Sequence, residues 1–329
     1  MMQLTVALFS SQKYEHASFD ACLNNQTRIK LTRFEQSLDA KSAILSQGFD
    51  AVCVFVNDIV DKTVIEQLAQ FGVKCILLRC AGFNNVDLAA AHAHNIKVCR
   101  VPAYSPEAVA EHCVALMLTL NRKTHKAYNR IREDNFDLNG LLGFNLFKKT
   151  IGIIGCGKIG LALVNILNGF DANVLVCDPY AVPGNYTICD LDTLLSQSDV
   201  ISLHCPLTEQ THHMINEHAF AKMKQGVMLI NTSRGALVDS KACIGALKTK
   251  KLGYLGLDVY EQESELFFKD RSDEIMQDDV FSRLVSFPNV LVTGHQGFFT
   301  KEALSEIAQI TVNNALEFAN NQPLSNEVK

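Results

Sequence analysis

Ile151-Gly152-Ile153-Ile154-Gly155-Cys156-Gly157-Lys158-Ile159-Gly160 is the stretch on which the reading of the fold turns. An apolar, strand-sized run, Thr150–Ile154, leads into Gly155, Gly157 and Gly160, and a helical pattern, Leu161–Phe170, follows. In a GxGxxG turn the first glycine permits the sharp bend. The second lets a pyrophosphate approach the backbone, and the third lets helix and strand pack closely. The amides that open the helix, at Lys158, Ile159 and Gly160, then meet the phosphate at the positive end of the helix dipole. A second strand-like run, Asn173–Cys177, ends in Asp178. An acid at that distance bonds the ribose hydroxyls and repels a 2′-phosphate, which favours NAD over NADP.

Outward from this loop, short apolar runs alternate with helical patterns. Strands are expected at Leu4–Phe9, Ala51–Val56, Cys75–Leu78 and Lys97–Val101, with helices at Lys62–Phe71 and Val86–His94. Later strands are expected at Val200–His204, Val227–Asn231, Leu255–Val259 and Val290–Thr293. Such alternation implies α/β architecture with parallel sheets covered on both faces. Ser105-Pro106-Glu107 starts a helix strongly, and its pattern runs to about Arg132,. A helix of that length suits a domain bridge or a subunit contact.

The 329 residues fit two domains better than one,. A net charge of −5 without basic clusters argues against nucleic acid as a partner,. The 11 cysteines include no CxxC pair, and several sit inside apolar runs. That usage points to a reducing compartment, the cytoplasm, and offers no zinc site. Neither a secretory leader nor a membrane-length apolar run is read, so no membrane partner is expected, and the scattered cysteines and histidines lead to no expected metal.

Three ionisable residues follow late strand-like runs: Arg234 after Asn231-Thr232-Ser233, Glu263 after Asp258-Val259-Tyr260-Glu261-Gln262, and His295 after Gly294. In an open parallel sheet, ligands bind beyond the carboxyl ends of the strands. A guanidinium fork suits a carboxylate. A histidine suits proton transfer near neutral pH, and a carboxylate beside it fixes the ring.

With these residues, with His204-Cys205-Pro206-Leu207-Thr208 and with Leu78-Arg79-Cys80-Ala81-Gly82-Phe83-Asn84-Asn85-Val86-Asp87, the chain resembles the D-isomer-specific 2-hydroxyacid dehydrogenase family over nearly its whole length. Val101-Pro102-Ala103-Tyr104-Ser105-Pro106-Glu107-Ala108-Val109-Ala110-Glu111-His112 and the long stretch between Glu263 and His295 resemble the bacterial fermentative D-lactate branch most.

The resemblance implies two Rossmann-like, doubly wound domains with a cleft between them. A discontinuous substrate domain, 1–101 with 299–329, would accompany an NAD-binding domain, 102–298. It implies reduction of a small 2-keto acid by NADH, with pyruvate foremost and hydroxypyruvate, glyoxylate or larger keto acids as alternatives. A nucleotide-sensing corepressor on the same fold is the rival outside enzymology. Arg234 would hold the substrate carboxylate, His295 would exchange the proton, and Glu263 would hold the imidazole. Cys80, Ala81 and Gly82 would offer backbone amides to the carboxylate, with Tyr104, Phe298 and more weakly Phe55 lining the pocket. Cys205, Pro206, Thr232 and Asp258 would contact NAD, although Asp258 could instead support His295 from behind. The long helix would serve a homo-oligomer, a dimer or tetramer. Gly297 stands where related sequences often carry Ala, which would loosen the loop or widen the pocket.

Overall fold

Apolar runs that read as buried on both faces become the inner strands of two parallel sheets. The computed structural model describes residues 3–24, 26–268 and 270–329. The chain divides into two compact units, Met1–Ser105 with Phe299–Lys329, and Pro106–Phe298.

The first unit holds β1 (Leu4–Leu8), β2 (Ile29–Arg33), β3 (Ala51–Val54), β4 (Cys75–Leu78) and β5 (Lys97–Cys99). Their order is β2-β1-β3-β4-β5, all parallel, with the order reversing between β1 and β3. Every residue of β3 and β4 is buried. Helices Lys62–Gln70 and Leu88–Ala93 begin at Asp61 and Asp87, whose side chains accept from the amides of Val64 and Ala90. Such caps satisfy amides that a helix start leaves without partners. Helix Lys301–Ala319 returns to this unit and lays Ala308, Val312 and Ala315 into the core built by β1, β3 and β4.

Two elements here escape the apolar-run reading. Helix Lys13–Leu23 has an almost even mix of polar and apolar residues, and β2 is an edge strand with one fully buried residue, Ile29. Neither buries enough surface to show a clear period.

The second unit holds β6 (Thr150–Ile154), β7 (Asn173–Cys177), β8 (Thr187–Ile188), β9 (Val200–Leu203), β10 (Val227–Asn231), β11 (Leu252–Leu257) and β12 (Val290–Val292). Their order, β12-β11-β10-β9-β6-β7-β8, reverses between β6 and β9, the switch point at which doubly wound sheets bind nucleotides,. β11 begins three residues before its expected start. Gly253 conceals it, because a Cβ there would lie 2.4 Å from the Gly226 carbonyl oxygen, so the strand needs glycine for a close backbone approach.

The expected long helix is two helices. Pro106–Arg122 ends where Lys123 turns left-handed, at φ 51°, and Thr124–Ile131 continues in a new direction. The cause is local. Buried Asn121 clips the returning chain, donating to the Phe144 carbonyl at 2.6 Å and accepting from its amide at 2.7 Å. The first helix is core, with Cys113, Leu116, Met117 and Leu120 packed against the sheet, whereas the second has no buried residue.

Candidate functional site at the carboxyl ends of the second sheet

The glycine loop follows β6 and turns at Gly155, whose φ of +91° is left-handed. A Cβ at Gly155 would lie 2.5 Å from the Cys205 amide nitrogen, so the chain leaving β9 presses directly on the turn. At Gly160 a Cβ would come within 2.3 Å of the Gly155 carbonyl oxygen. Gly157 differs: nothing lies within 4 Å of its missing Cβ. Two glycines are thus demanded by packing, and the third keeps an open surface.

Helix Lys158–Gly169 starts there, and its first internal bond runs from Leu161 N to Gly157 O. The amides of Lys158, Ile159 and Gly160 are those for which a helix has no internal acceptor. Asp178, just past β7, accepts from Cys156 N at 2.6 Å and Tyr180 N at 2.7 Å. The carboxylate is thereby fixed against the loop. An open glycine, free helix-start amides and an anchored acid fit a dinucleotide.

Beyond β9, Cys205 is buried, and burial pushes its thiol up to about 11. Its carbonyl accepts from Ser233 Oγ at 2.7 Å, which ties the end of β9 to the turn after β10, while Pro206 is exposed. Thr232 meets the Cys113 thiol at 3.0 Å, and burial pushes that thiol up to about 12. These thiols are packing groups, not thiolates.

Arg234 leaves β10 in extended conformation, half-buried. Asn231 shapes its turn, donating to Arg234 O at 2.9 Å and accepting from Ser233 N at 3.0 Å. The Gly235 that follows is obligatory, since a Cβ there would lie 2.1 Å from the Tyr260 carbonyl carbon. The Arg234 turn therefore sits flush against the segment that carries Glu263.

Glu263 opens a short helix, Glu263–Leu266. Its Oε2 accepts from Tyr260 N at 3.0 Å and its Oε1 from His295 Nδ1 at 2.9 Å. The side chains of His295 and Glu263 are 17% and 22% exposed, open enough to meet a ligand and closed enough to hold their pairing. His295 has φ 52°, a left-handed conformation uncommon outside glycine,.

Asp258 supports that conformation. It is 1% exposed, and its backbone carbonyl accepts from His295 N at 2.7 Å. Its Oδ1 accepts from Thr293 Oγ1 at 2.5 Å and Gln296 N at 2.8 Å, and its Oδ2 from Gly297 N at 2.8 Å. His112 Nε2 lies 3.2 Å from the same Oδ1. Burial pushes this carboxyl up, but the bonds from His112, Thr293 and Gln296 outweigh it and hold the group below the usual carboxylate range. Both oxygens are thus engaged within the turn, which favours the supporting role the sequence left open. His112 closes the motif that begins at Val101, but its contact with Asp258, and the role of Thr293, emerge only from the packing.

Gly297 lies tight against the same support. A Cβ there would face Asp258 Oδ2 at 3.0 Å and His112 Cδ2 at 3.5 Å, within the support behind the turn. The missing methyl relieves crowding of that support.

Residues 114–297 match the model of the D-isomer specific 2-hydroxyacid dehydrogenase NAD-binding domain. The chain belongs to this family. It is 50% identical to the D-lactate dehydrogenase of Escherichia coli, over 99% of this chain and 100% of that protein. The apo structure of the Escherichia coli enzyme superposes with a TM-score of 0.90 and 48% identity, covering 99% of this chain and 100% of that one. The pyruvate reductase of Chlamydomonas reinhardtii matches with a TM-score of 0.92 and 41% identity over 98% of each chain. The protein is accordingly an NAD-dependent oxidoreductase, and the loop at Gly155–Gly160 lies inside the matched nucleotide domain.

In the first unit, Cys80, Ala81 and Gly82 follow β4 at the carboxyl end of its sheet. Arg100 Nη1 donates to Ala81 O at 3.0 Å, and Val101 N to Cys80 O at 3.1 Å. Behind this loop is a polar cluster the sequence did not announce. Arg79 is 1% exposed, pairs with Glu15 at 2.9 Å, donates to Ser10 O at 2.7 Å and lies over the Phe55 ring. Asp58 accepts from Ser10 Oγ, Leu38 N and Phe55 N at 2.6–2.7 Å. Burial drives the Asp58 carboxyl up, against the pull of Arg79. The cluster joins the ends of β1, β3 and β4 and so fixes the loop. Phe55 is buried and Tyr104 half-buried in this unit, and Phe298, the last residue of the second unit, is buried.

Proposed function

We propose that the chain reduces pyruvate to D-lactate with NADH, reversibly, using His295 as the acid–base residue. The 2.9 Å bond from His295 Nδ1 to Glu263 is the observation that carries this reading. With Nδ1 committed, Nε2 is the ring nitrogen left for proton exchange. When bound, NADH supplies the hydride that reduces the keto carbon. Arg234 binds the substrate carboxylate through its guanidinium and stabilises charge growing on the carbonyl oxygen. His295 delivers a proton to that oxygen from Nε2, and Glu263 holds the ring in place through its bond to Nδ1,. Asp258, through the turn, keeps the imidazole in place. In the reverse direction His295 takes the proton from the hydroxyl.

The glycine loop with Lys158, Ile159 and Gly160 would cradle the pyrophosphate and Asp178 the ribose. Cys205, Pro206 and Thr232 would border the nucleotide. The unit Met1–Ser105 with Phe299–Lys329 would serve as the substrate domain and offer the Cys80–Gly82 amides to the carboxylate, with Tyr104 and Phe298 as pocket aromatics. The similarity to D-lactate dehydrogenases supports pyruvate over bulkier keto acids.

A homo-oligomer accompanies this reading. Tyr128, Ile131, Phe136, Leu138, Leu142 and Phe147 are 55–86% exposed in one segment, more apolar surface than a monomer usually leaves in one place,. Cysteines without disulfides among the described residues support a cytoplasmic setting, and among the same residues no helix is long and apolar enough to cross a membrane,.

Arg234→Ala is the test. Loss of a bidentate, charge-assisted contact should raise KM for pyruvate and lower kcat together, reducing kcat/KM by on the order of 10²–10⁴-fold. Unchanged kinetics would remove Arg234 from the site.

A further inference from the structure

We propose that His212, His213 and Glu261 form a binding site for a divalent transition-metal cation of the zinc type, behind the turns that carry Arg234 and Glu263. The sequence offers no metal-ligand spacing here, because Glu261 lies far along the chain from the histidine pair. The fold closes that distance. One ligand atom from each of the three residues lies within 4.8 Å of the others. His213 Nε2 is 2.5 Å from Glu261 Oε1. His213 is left-handed, at φ 48°, and the two imidazoles stack at 4.0 Å with 25° between their planes.

An ion pair between His213 and Glu261 would account for two of these residues but not for the third. His212 is exposed, yet its ring is laid on His213 with a ligand atom in range of the carboxylate. The carboxylate is also oriented from behind, since its Oε2 accepts from Ser240 Oγ at 3.0 Å. Hydrogen-bonded outer partners of this kind fix metal ligands. Two imidazoles and one carboxylate suit zinc, cobalt or nickel, and three protein ligands leave a further coordination position open. The cation would replace the direct contact between His213 Nε2 and Glu261 Oε1.

The backbones that carry the ligands have little slack. His213 N donates to Ala236 O at 2.8 Å, within the turn after Arg234. A Cβ on Gly235 would lie 2.3 Å from Glu261 N. Glu261 is two residues from Glu263. A bound cation would thus brace the Arg234 turn against the Glu263 segment.

Cobalt(II) is the probe, titrated into the chelator-treated full chain with NADH bound. The expected result is saturable binding of one Co2+ per chain, with visible d–d bands and no sulfur-to-metal charge-transfer band. His212→Ala and Glu261→Gln should each weaken binding by about tenfold or more. His212 is exposed, so unchanged NADH affinity in H212A is the folding control, and that variant carries the test alone if E261Q folds poorly. Absence of saturable binding, a thiolate charge-transfer band, or wild-type affinity in H212A would overturn the proposal.

Discussion

Asp258→Asn removes one charge and no volume, yet it leaves the turn at His295 short of an acceptor. Each carboxylate oxygen accepts a backbone amide, Gln296 N at Oδ1 and Gly297 N at Oδ2. An asparagine has one acceptor oxygen, so in either orientation its NH2 must face an N–H. The less costly orientation keeps the oxygen toward Thr293 and Gln296 and turns the NH2 toward Gly297. It forfeits one bond to a charged acceptor, about 1.5–3 kcal/mol, and leaves a buried donor unsatisfied at about 1–3 kcal/mol. The sum is roughly 2.5–6 kcal/mol, in the range of breaking a buried charge pair. For a unit of this size that lowers the thermal midpoint by about 10 °C. Because the folded carboxyl titrates below its unfolded value, its stabilisation is complete above about pH 4 and is lost as the pH falls further,. The same substitution loosens the left-handed turn at His295, so kcat should fall by at least about tenfold. Calorimetry and steady-state kinetics on one preparation read both effects. A variant within about 1 °C of wild type with unchanged kcat would refute the claim that Asp258 holds the turn.

Packing sets three further outcomes. Arg79→Leu strands Glu15 beside Asp58 in the first unit and should destabilise it by about 3–5 kcal/mol in urea unfolding, where an exposed arginine would cost under about 1 kcal/mol,. Gly160→Ala places a Cβ 2.3 Å from the Gly155 carbonyl oxygen and should cost about 1–3 kcal/mol as well as NADH affinity by fluorescence titration,. Gly157→Ala meets nothing within 4 Å and should spare apo stability while still weakening NADH by about tenfold or more, since only a bound pyrophosphate needs that space,.

The loop and the strands were legible because they combine strong local signals. Thr150–Ile154, Asn173–Cys177 and Val227–Asn231 are apolar runs bounded by turn residues, and their observed limits match the reading residue for residue. Elements that depend on distant partners were not legible. The break at Lys123 is imposed by Asn121 gripping Phe144, and β11 hides behind a glycine needed by Gly226. In the site, motif residues could be named, His112 and Arg79 among them, but the contacts of His112 and Thr293 with Asp258 and the Ser10–Glu15–Asp58–Arg79 cluster could not be read. Their signal is a meeting of side chains from separate elements, and a single sequence does not display it. Glu15, three residues after Gln12 at a helix start, was the nearest hint, a capping-box acid that also pairs with Arg79,.

The most direct test is NADH oxidation at neutral pH with pyruvate beside hydroxypyruvate, glyoxylate, 2-ketobutyrate and phenylpyruvate, with the product assigned by a D-specific lactate oxidation assay. The expected result is the highest kcat/KM with pyruvate and a product consumed wholly as the D isomer. Tight NADH binding without turnover of any keto acid, or an L product, would contradict the proposed reaction.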